Sequence, residues 1–189
     1  YSCLPLSVSD TIARAFRLQS VAKERVRGLE AALRYNPRAV PGLSLNGTLS
    51  FNDAKYRDFL SDCYAGQTVS QGCAFNQGTV PATAPAGSTY LPFTAQDLSG
   101  RRLRKAPKFA ATFGAYYETP ITENWMASLS TDVSYSGGYE FGTNYQPWAY
   151  QDSFAKVDAT LRLFAQDKQW ELAVIGRNLT NKRSLINGI

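Results

Sequence analysis

The chain has 189 residues, no histidine, 20 Lys and Arg against 15 Asp and Glu, and a formal net charge of +5. With no His, no isolated carboxylate pair at a recognisable spacing and no Ser or Cys motif, it offers no residues for enzyme chemistry. Its mean hydropathy is −0.28, and no apolar run reaches the ~18 residues of a membrane-spanning helix.

Residues 1–18, which include Cys3, do not read as a strand and stay unassigned. No basic segment followed by an apolar run opens the chain at Tyr1, so no signal peptide is visible. Further on, Leu29, Ala31, Leu33 and Tyr35 alternate with Glu30, Ala32 and Arg34. In residues 43–52 the odd positions are Leu43, Leu45, Gly47, Leu49 and Phe51, and the even ones are all Ser, Asn or Thr. Phe109, Ala111, Phe113, Ala115 and Tyr117 form one face of the next stretch, with Lys108, Thr112 and Tyr116 behind them. Trp125, Ala127, Leu129, Thr131, Val133 and Tyr135 alternate with Ser128, Ser130, Asp132 and Ser134. Val157, Ala159, Leu161 and Leu163 alternate with Lys156, Asp158, Thr160 and Arg162.

Successive side chains on a strand point to opposite faces. Each stretch therefore has one apolar and one polar face, over the ~9–11 residues that a tilted strand needs to cross a bilayer. Repeated between turns, this is the pattern of a transmembrane β-barrel wall, with the apolar face on lipid and the polar face on the lumen. A soluble β-sandwich alternates too, but its strands usually have about 5–6 residues. Aromatic residues near the strand ends (Tyr35, Phe51, Tyr56, Tyr117, Trp125, Tyr135, Trp170) read as interfacial girdles. The expected fold is all-β: an antiparallel up-and-down transmembrane segment of about six strands of a larger barrel.

The connections alternate in length. Residues 36–42, 119–124 and 166–168 are short turns, 57–104 is a long insertion, and 136–151 is of medium length. Bacterial barrels keep short turns on the periplasmic side and long loops outside. The long loop holds Cys63 and Cys73. Without a histidine or a third ligand nearby, a metal site is disfavoured. A disulfide outweighs free thiols, and closing so small a loop restricts the unfolded chain by about 2–3 kcal/mol.

Charged residues fall into two groups. Arg101, Arg102, Arg104, Lys105 and Lys108 cluster where the long loop descends into the wall. They read as a basic mouth for an anionic ligand, or as a rim that is solvated or touches lipopolysaccharide phosphates; the rim weighs more. Glu30, Arg34, Asp132, Lys156, Asp158, Arg162, Glu171 and Arg177 are expected to face the lumen with mixed sign, stabilising cross-strand pairs by about 0.2–1 kcal/mol each. Loop aromatics (Tyr64, Phe75, Tyr90, Phe93, Tyr139, Phe141, Tyr145, Trp148, Tyr150) either stack on a ligand or pack the loops together. The Asn46 and Asn178 sequons fall in wall strands and read as chance, and a pI of 9.2 is weak support for nucleic-acid binding.

Three segments carry a family resemblance: Val26-Arg27-Gly28-Leu29-Glu30, Leu103-Arg104-Lys105-Ala106-Pro107-Lys108-Phe109, and Trp170-Glu171-Leu172 followed by Gly176-Arg177-Asn178-Leu179-Thr180-Asn181-Lys182. In this order, over residues 19–189, the chain resembles the C-terminal part of a TonB-dependent outer-membrane receptor. The Asn-Leu-Thr-Asn-Lys ending is the most specific of the three. Ser184 departs from the pattern, since an aromatic residue often stands there. Such receptors have a signal peptide, a TonB-contacting box, a plug domain, about 22 strands and a final strand ending in an aromatic residue. None of the N-terminal parts and no final strand is seen here, so the resemblance implies a fragment. It also implies active uptake of a bulky nutrient (a siderophore, corrinoid or oligosaccharide) at the outer membrane. TonB would act through the N-terminal region of the parent, with no cofactor and no nucleic acid. A passive porin-like barrel and a soluble β-sheet binding protein are the alternatives.

Overall fold

The computed structural model describes residues 23–76, 93–167 and 169–185. The unassigned segment 1–18 with Cys3, and Tyr90, Lys168 and Ile189, lie outside the described residues. The strands are β1 (Lys23–Tyr35), β2 (Leu43–Asp58), β3 (Leu60–Asp62), β4 (Cys73–Asn76), β5 (Phe93–Asp97) and β6 (Phe109–Pro120). They continue with β7 (Trp125–Ser136), β8 (Tyr139–Glu140), β9 (Tyr150–Gln151), β10 (Phe154–Ala165) and β11 (Glu171–Gly176). The one helical element among the described residues is a 3₁₀ turn at Val69–Gln71.

The wall is a six-stranded antiparallel sheet in the order β1-β2-β6-β7-β10-β11. Each wall strand pairs with the next wall strand in the chain, giving an up-and-down sheet. Its register sorts the side chains into rows. Leu33, Gly47, Phe113, Val133 and Val157 line up across five strands, as do Ala31, Leu49, Ala111, Tyr135 and Ala155. One residue along, the rows are polar: Ala32, Thr48, Thr112, Ser134 and Lys156, then Arg34, Asn46, Gly114, Asp132 and Asp158. A slip of one residue in any pair would exchange the two faces, so the alternation itself pins the register.

The apolar face is bare: Leu29 is 73% exposed and Leu33 71%. Among the described residues no second layer packs on the wall, as a sandwich would require. Two aromatic tiers border the band, with Phe51, Phe109 and Tyr135 toward the long loops and Tyr35, Tyr117 and Trp125 toward the turns. Phe109 and Tyr117 are separated by roughly 26 Å at the usual strand rise, the scale of a membrane band. Tyr56 belongs to neither tier. It lies beyond Phe51 on the opposite face and is 5% exposed, packed in the loop core.

All three short connections lie at one end of the sheet and both long ones at the other. In the turn between β1 and β2, Gly42 has φ +85° and accepts at its carbonyl from the Glu118 N–H at 3.1 Å. A Cβ there would lie 2.0 Å from the Glu118 carbonyl oxygen, so two constraints call for glycine. In the wall, Gly114 leaves room for the Asn46 side-chain amide, which would lie 2.6 Å from an added Cβ.

The wall strands run longer than the sequence pattern indicated. β1 begins at Lys23 rather than near Leu29, and β2 reaches Asp58. The long insertion also has secondary structure of its own, the sheet β3-β5-β4, while β8 and β9 pair in the medium loop. The buried hydrophobic cluster sits here, not in the wall: Leu98 (1% exposed), Tyr56 and Tyr145, with Phe59 and Leu103 against them.

Candidate functional site

The two long loops pack into one cap. β2 leaves the wall and is met by the returning limb, with Asn52 N–H donating to the Lys108 carbonyl (2.8 Å), Tyr56 N–H to Arg101 (2.9 Å) and Leu103 N–H to Ala54 (3.0 Å). The sheet β3-β5-β4 is stapled by a disulfide between Cys63 and Cys73, whose Cα atoms are 5.8 Å apart. Thr68 and Gln71 form a reciprocal capping box around the 3₁₀ turn inside that ring.

The seam with the medium loop is both polar and aromatic. Gln96, 6% exposed, donates through Nε2 to the carbonyls of Asp62 (3.0 Å) and Asn144 (2.7 Å), and accepts from Gln67 Nε2 (3.2 Å). One side chain thus ties both loops together. Lys105, at φ 54°, donates its N–H to the Glu140 carbonyl at 2.9 Å. Tyr64 meets Trp148 edge-on at 5.8 Å, and Tyr56 meets Tyr145 at 6.2 Å. These aromatics therefore pack loop on loop. The side chains of Phe75 and Phe93 lie outside the described residues.

A cavity of about 230 Å³ opens at the seam, lined by Arg101, Leu103, Glu140, Tyr139, Tyr145 and Tyr150 among others. The Arg101 guanidinium lies 5.7 Å from the Tyr145 ring centre. Burial pushes the Glu140 carboxyl above the ordinary carboxylate range, with Arg101 opposing, and Glu140 Oε2 is buried without a hydrogen-bond partner. Burial also raises the Tyr145 hydroxyl, keeping it a donor. At the rim of the cap, the side-chain and main-chain hydrogen bonds from Ser99 hold Asp97 below its usual range.

The basic segment does not act as one cluster. Arg101 and Arg102 both line the cavity, and Arg102 is also bridged to Lys55 of β2. Lys108 reaches over the Phe51 ring, with Nζ 5.4 Å from its centre. Arg104 and Lys105 are exposed. The register puts Glu30, Arg34, Asp132, Lys156, Asp158, Arg162 and Glu171 together on the polar face, and Arg177 follows the end of β11. Arg162 Nε pairs with Glu171 Oε1 at 3.4 Å. Lys156 donates to Ser184 Oγ at 3.1 Å, a contact that engages the residue departing from the aromatic pattern. Gln96, Glu140 and the outward pairing of Lys55 with Arg102 were not visible in the sequence. The strand parity of Arg25, Arg27 and Lys55 was the available signal for the last.

The Asn178–Lys182 segment is a turn that ladders onto β10 where β11 ends. Asn178 and Asn181 adopt φ 50° and 49°. The Asn178 amide donates to the Lys182 carbonyl (3.1 Å) and accepts the Lys182 N–H (3.0 Å). Asn178 N–H donates to Asp158 Oδ1 (2.6 Å), Leu179 N–H to Val157 (2.8 Å) and Thr180 Oγ1 to Ala155 (2.8 Å). The small polar residues are there because they tolerate the left-handed conformation and bond their own backbone.

A family model described as "TonB dependent receptor-like, beta-barrel" matches residues 4–179. The chain belongs to that family. No curated protein and no solved structure matches it. The family is one of outer-membrane receptors, and the six-stranded sheet is a segment of such a barrel, unclosed among the described residues.

Proposed function

We propose that this TonB-dependent receptor barrel takes part in active import of a bulky nutrient of the siderophore, corrinoid or oligosaccharide class, energised through TonB. The observation that carries the reading is the two-faced wall whose long loops gather at one end into a stapled cap with a seam cavity. Such a cap is suited to presenting aromatic and charged groups to a ligand, while the mixed-sign polar face offers a surface against which a plug can dock. In this reading Arg101 and Arg102, which line the cavity, belong to the ligand side. Arg104, Lys105 and Lys108 form the rim toward lipopolysaccharide. The charges from Glu30 to Arg177 line the lumen. No residue is assigned a catalytic role.

The test is uptake by cells carrying the complete gene product, with ferric chelates, corrinoids and oligosaccharides supplied as sole sources. Uptake that disappears in a strain lacking TonB supports the proposal. Uptake that persists there indicates a passive barrel, and recovery in buffer without detergent would indicate a soluble sheet protein.

A further inference from the structure

At the seam, Arg101 and Arg102 build the cap with their main chain and leave their side chains over. Arg101 N–H donates to the Leu98 carbonyl at 3.0 Å, and the Arg101 carbonyl accepts from Tyr56 N–H at 2.9 Å. The Arg102 carbonyl accepts from the Tyr145 hydroxyl. Both residues are exposed and line the cavity. Among the described residues neither guanidinium enters an ion pair. Asp53 of the neighbouring β2 is held instead by Lys55 at 3.1 Å and by Arg25 at 3.4 Å. Glu140 is the one acid in the lining, so positive charge is in excess there.

The rest of the lining narrows the chemistry. Glu140 Oε2 is buried without a hydrogen-bond partner, a state relieved by an O–H or N–H donor. Tyr150 is 49% exposed and offers a ring face at the cavity edge for stacking. It fits there because residue 138 is glycine: an added Cβ would lie 2.2 Å from the Tyr150 hydroxyl oxygen. The volume of about 230 Å³ falls below the ~300–1,000 Å³ of a site for a drug-sized molecule. One ring of a bulky nutrient enters it, and a whole corrinoid does not. The metal-bound oxygens of a ferric chelate bring no proton to Glu140. A neutral sugar brings hydroxyls but leaves the arginines without an anion. A sugar bearing a carboxylate meets every requirement, since a guanidinium fork matches a carboxylate in two parallel hydrogen bonds.

We propose that the seam cavity takes the terminal uronic acid residue of an acidic oligosaccharide, with Arg101 and Arg102 on its carboxylate, Glu140 on its hydroxyls and Tyr150 against its ring. The inference rests on the nutrient-import reading and selects one class within it.

The experiment titrates the complete gene product in detergent, by calorimetry, with a galacturonic acid trimer and a galactose trimer. A hydrogen bond between charged groups accounts for about tenfold in affinity or more, so the acidic trimer should bind at least that much tighter. Arg101→Gln/Arg102→Gln should abolish the preference and leave the neutral trimer's affinity unchanged. Tyr150→Ala should weaken both trimers alike. Arg38→Gln, in the turn at the other end of the sheet, should bind as the wild type does. The folded barrel band on an unheated gel checks each variant. Equal binding of the two trimers by the wild type would overturn the proposal, as would a preference that survives in the folded double variant. Displacement of the acidic trimer by an equal concentration of acetate would show a general carboxylate site and overturn it too. Cells that import a ferric chelate or a corrinoid through TonB and ignore the acidic trimer would overturn the inference and keep the import reading. Import of the acidic trimer that persists without TonB would overturn the import reading and support the site.

Discussion

Tyr145 donates its hydroxyl to the main-chain carbonyl of Arg102, joining the medium loop to the returning limb of the long one. The ring also packs in the cluster with Tyr56 and Leu98, so the residue combines a hydrogen bond with buried apolar surface. Tyr145→Phe should weaken the cap by about 0.5–1.5 kcal/mol, the usual net value of one such bond. Tyr145→Ala should cost about 3–5 kcal/mol, as for other large aromatic truncations. Hydrogen exchange at the Leu98 amide, which donates to the Phe59 carbonyl at 2.8 Å, reads both effects. Equal exchange in the two variants would contradict the assignment.

Removing the staple should loosen one loop and spare the wall. Cys63→Ser/Cys73→Ser is expected to cost about 2–3 kcal/mol locally, from the restored freedom of a short ring. Limited proteolysis between the two positions should accelerate, while the folded barrel band on an unheated gel remains. Loss of that band would show that the wall depends on the cap.

Gln96 predicts coupling between loops. Gln96→Leu keeps much of the volume but abandons the Asp62 and Asn144 carbonyls bonded in the native seam. A penalty of about 1–3 kcal/mol is expected, seen as faster exchange on both sides of the seam. A change confined to the long loop would contradict the clamp.

The two faces of β7 should respond differently to charge. Val133 stands mid-row on the apolar face and Ser134 on the polar face. Val133→Arg should cost about 2–4 kcal/mol, as for a cation at the bilayer midplane, and lower the folded fraction in urea titration. Ser134→Arg should be much milder. Equal penalties would place the membrane elsewhere.

The raised Glu140 carboxyl makes cap stability pH-dependent. Because the folded cap favours the protonated form, the burial penalty is absent below the ordinary value near 4.5. It grows as pH rises from there through the raised value, and is full above it. Cap protection should thus decrease with pH across that window, and Glu140→Gln should flatten the profile. Asp97 acts in the opposite sense. Its stabilising hydrogen bonds from Ser99 are present above the ordinary value of 3.8 and lost as pH falls through the lowered one, so the two effects occupy separate windows.

What the sequence determined by itself was the wall. Period-two alternation is a local property, written residue by residue from Leu29 to Leu163. Once turns set the strand order, it fixes which side chains share a face. The Cys63–Cys73 pairing was legible for a similar reason, because two nearby cysteines without metal-ligand company leave little else. The tertiary structure decided what each charge does. Arg101 and Arg102 are neighbours in sequence and both line the seam cavity, yet Arg101 lies over the Tyr145 ring while the Arg102 backbone is bridged to Lys55 of β2. Tyr56 reads like a girdle aromatic but lies in the loop core. Gln96 carries no motif, and it becomes the clamp only when β5 brings it beside Asn144. Long-range contacts between irregular loops depend on where two distant segments meet, and no local periodicity encodes that meeting.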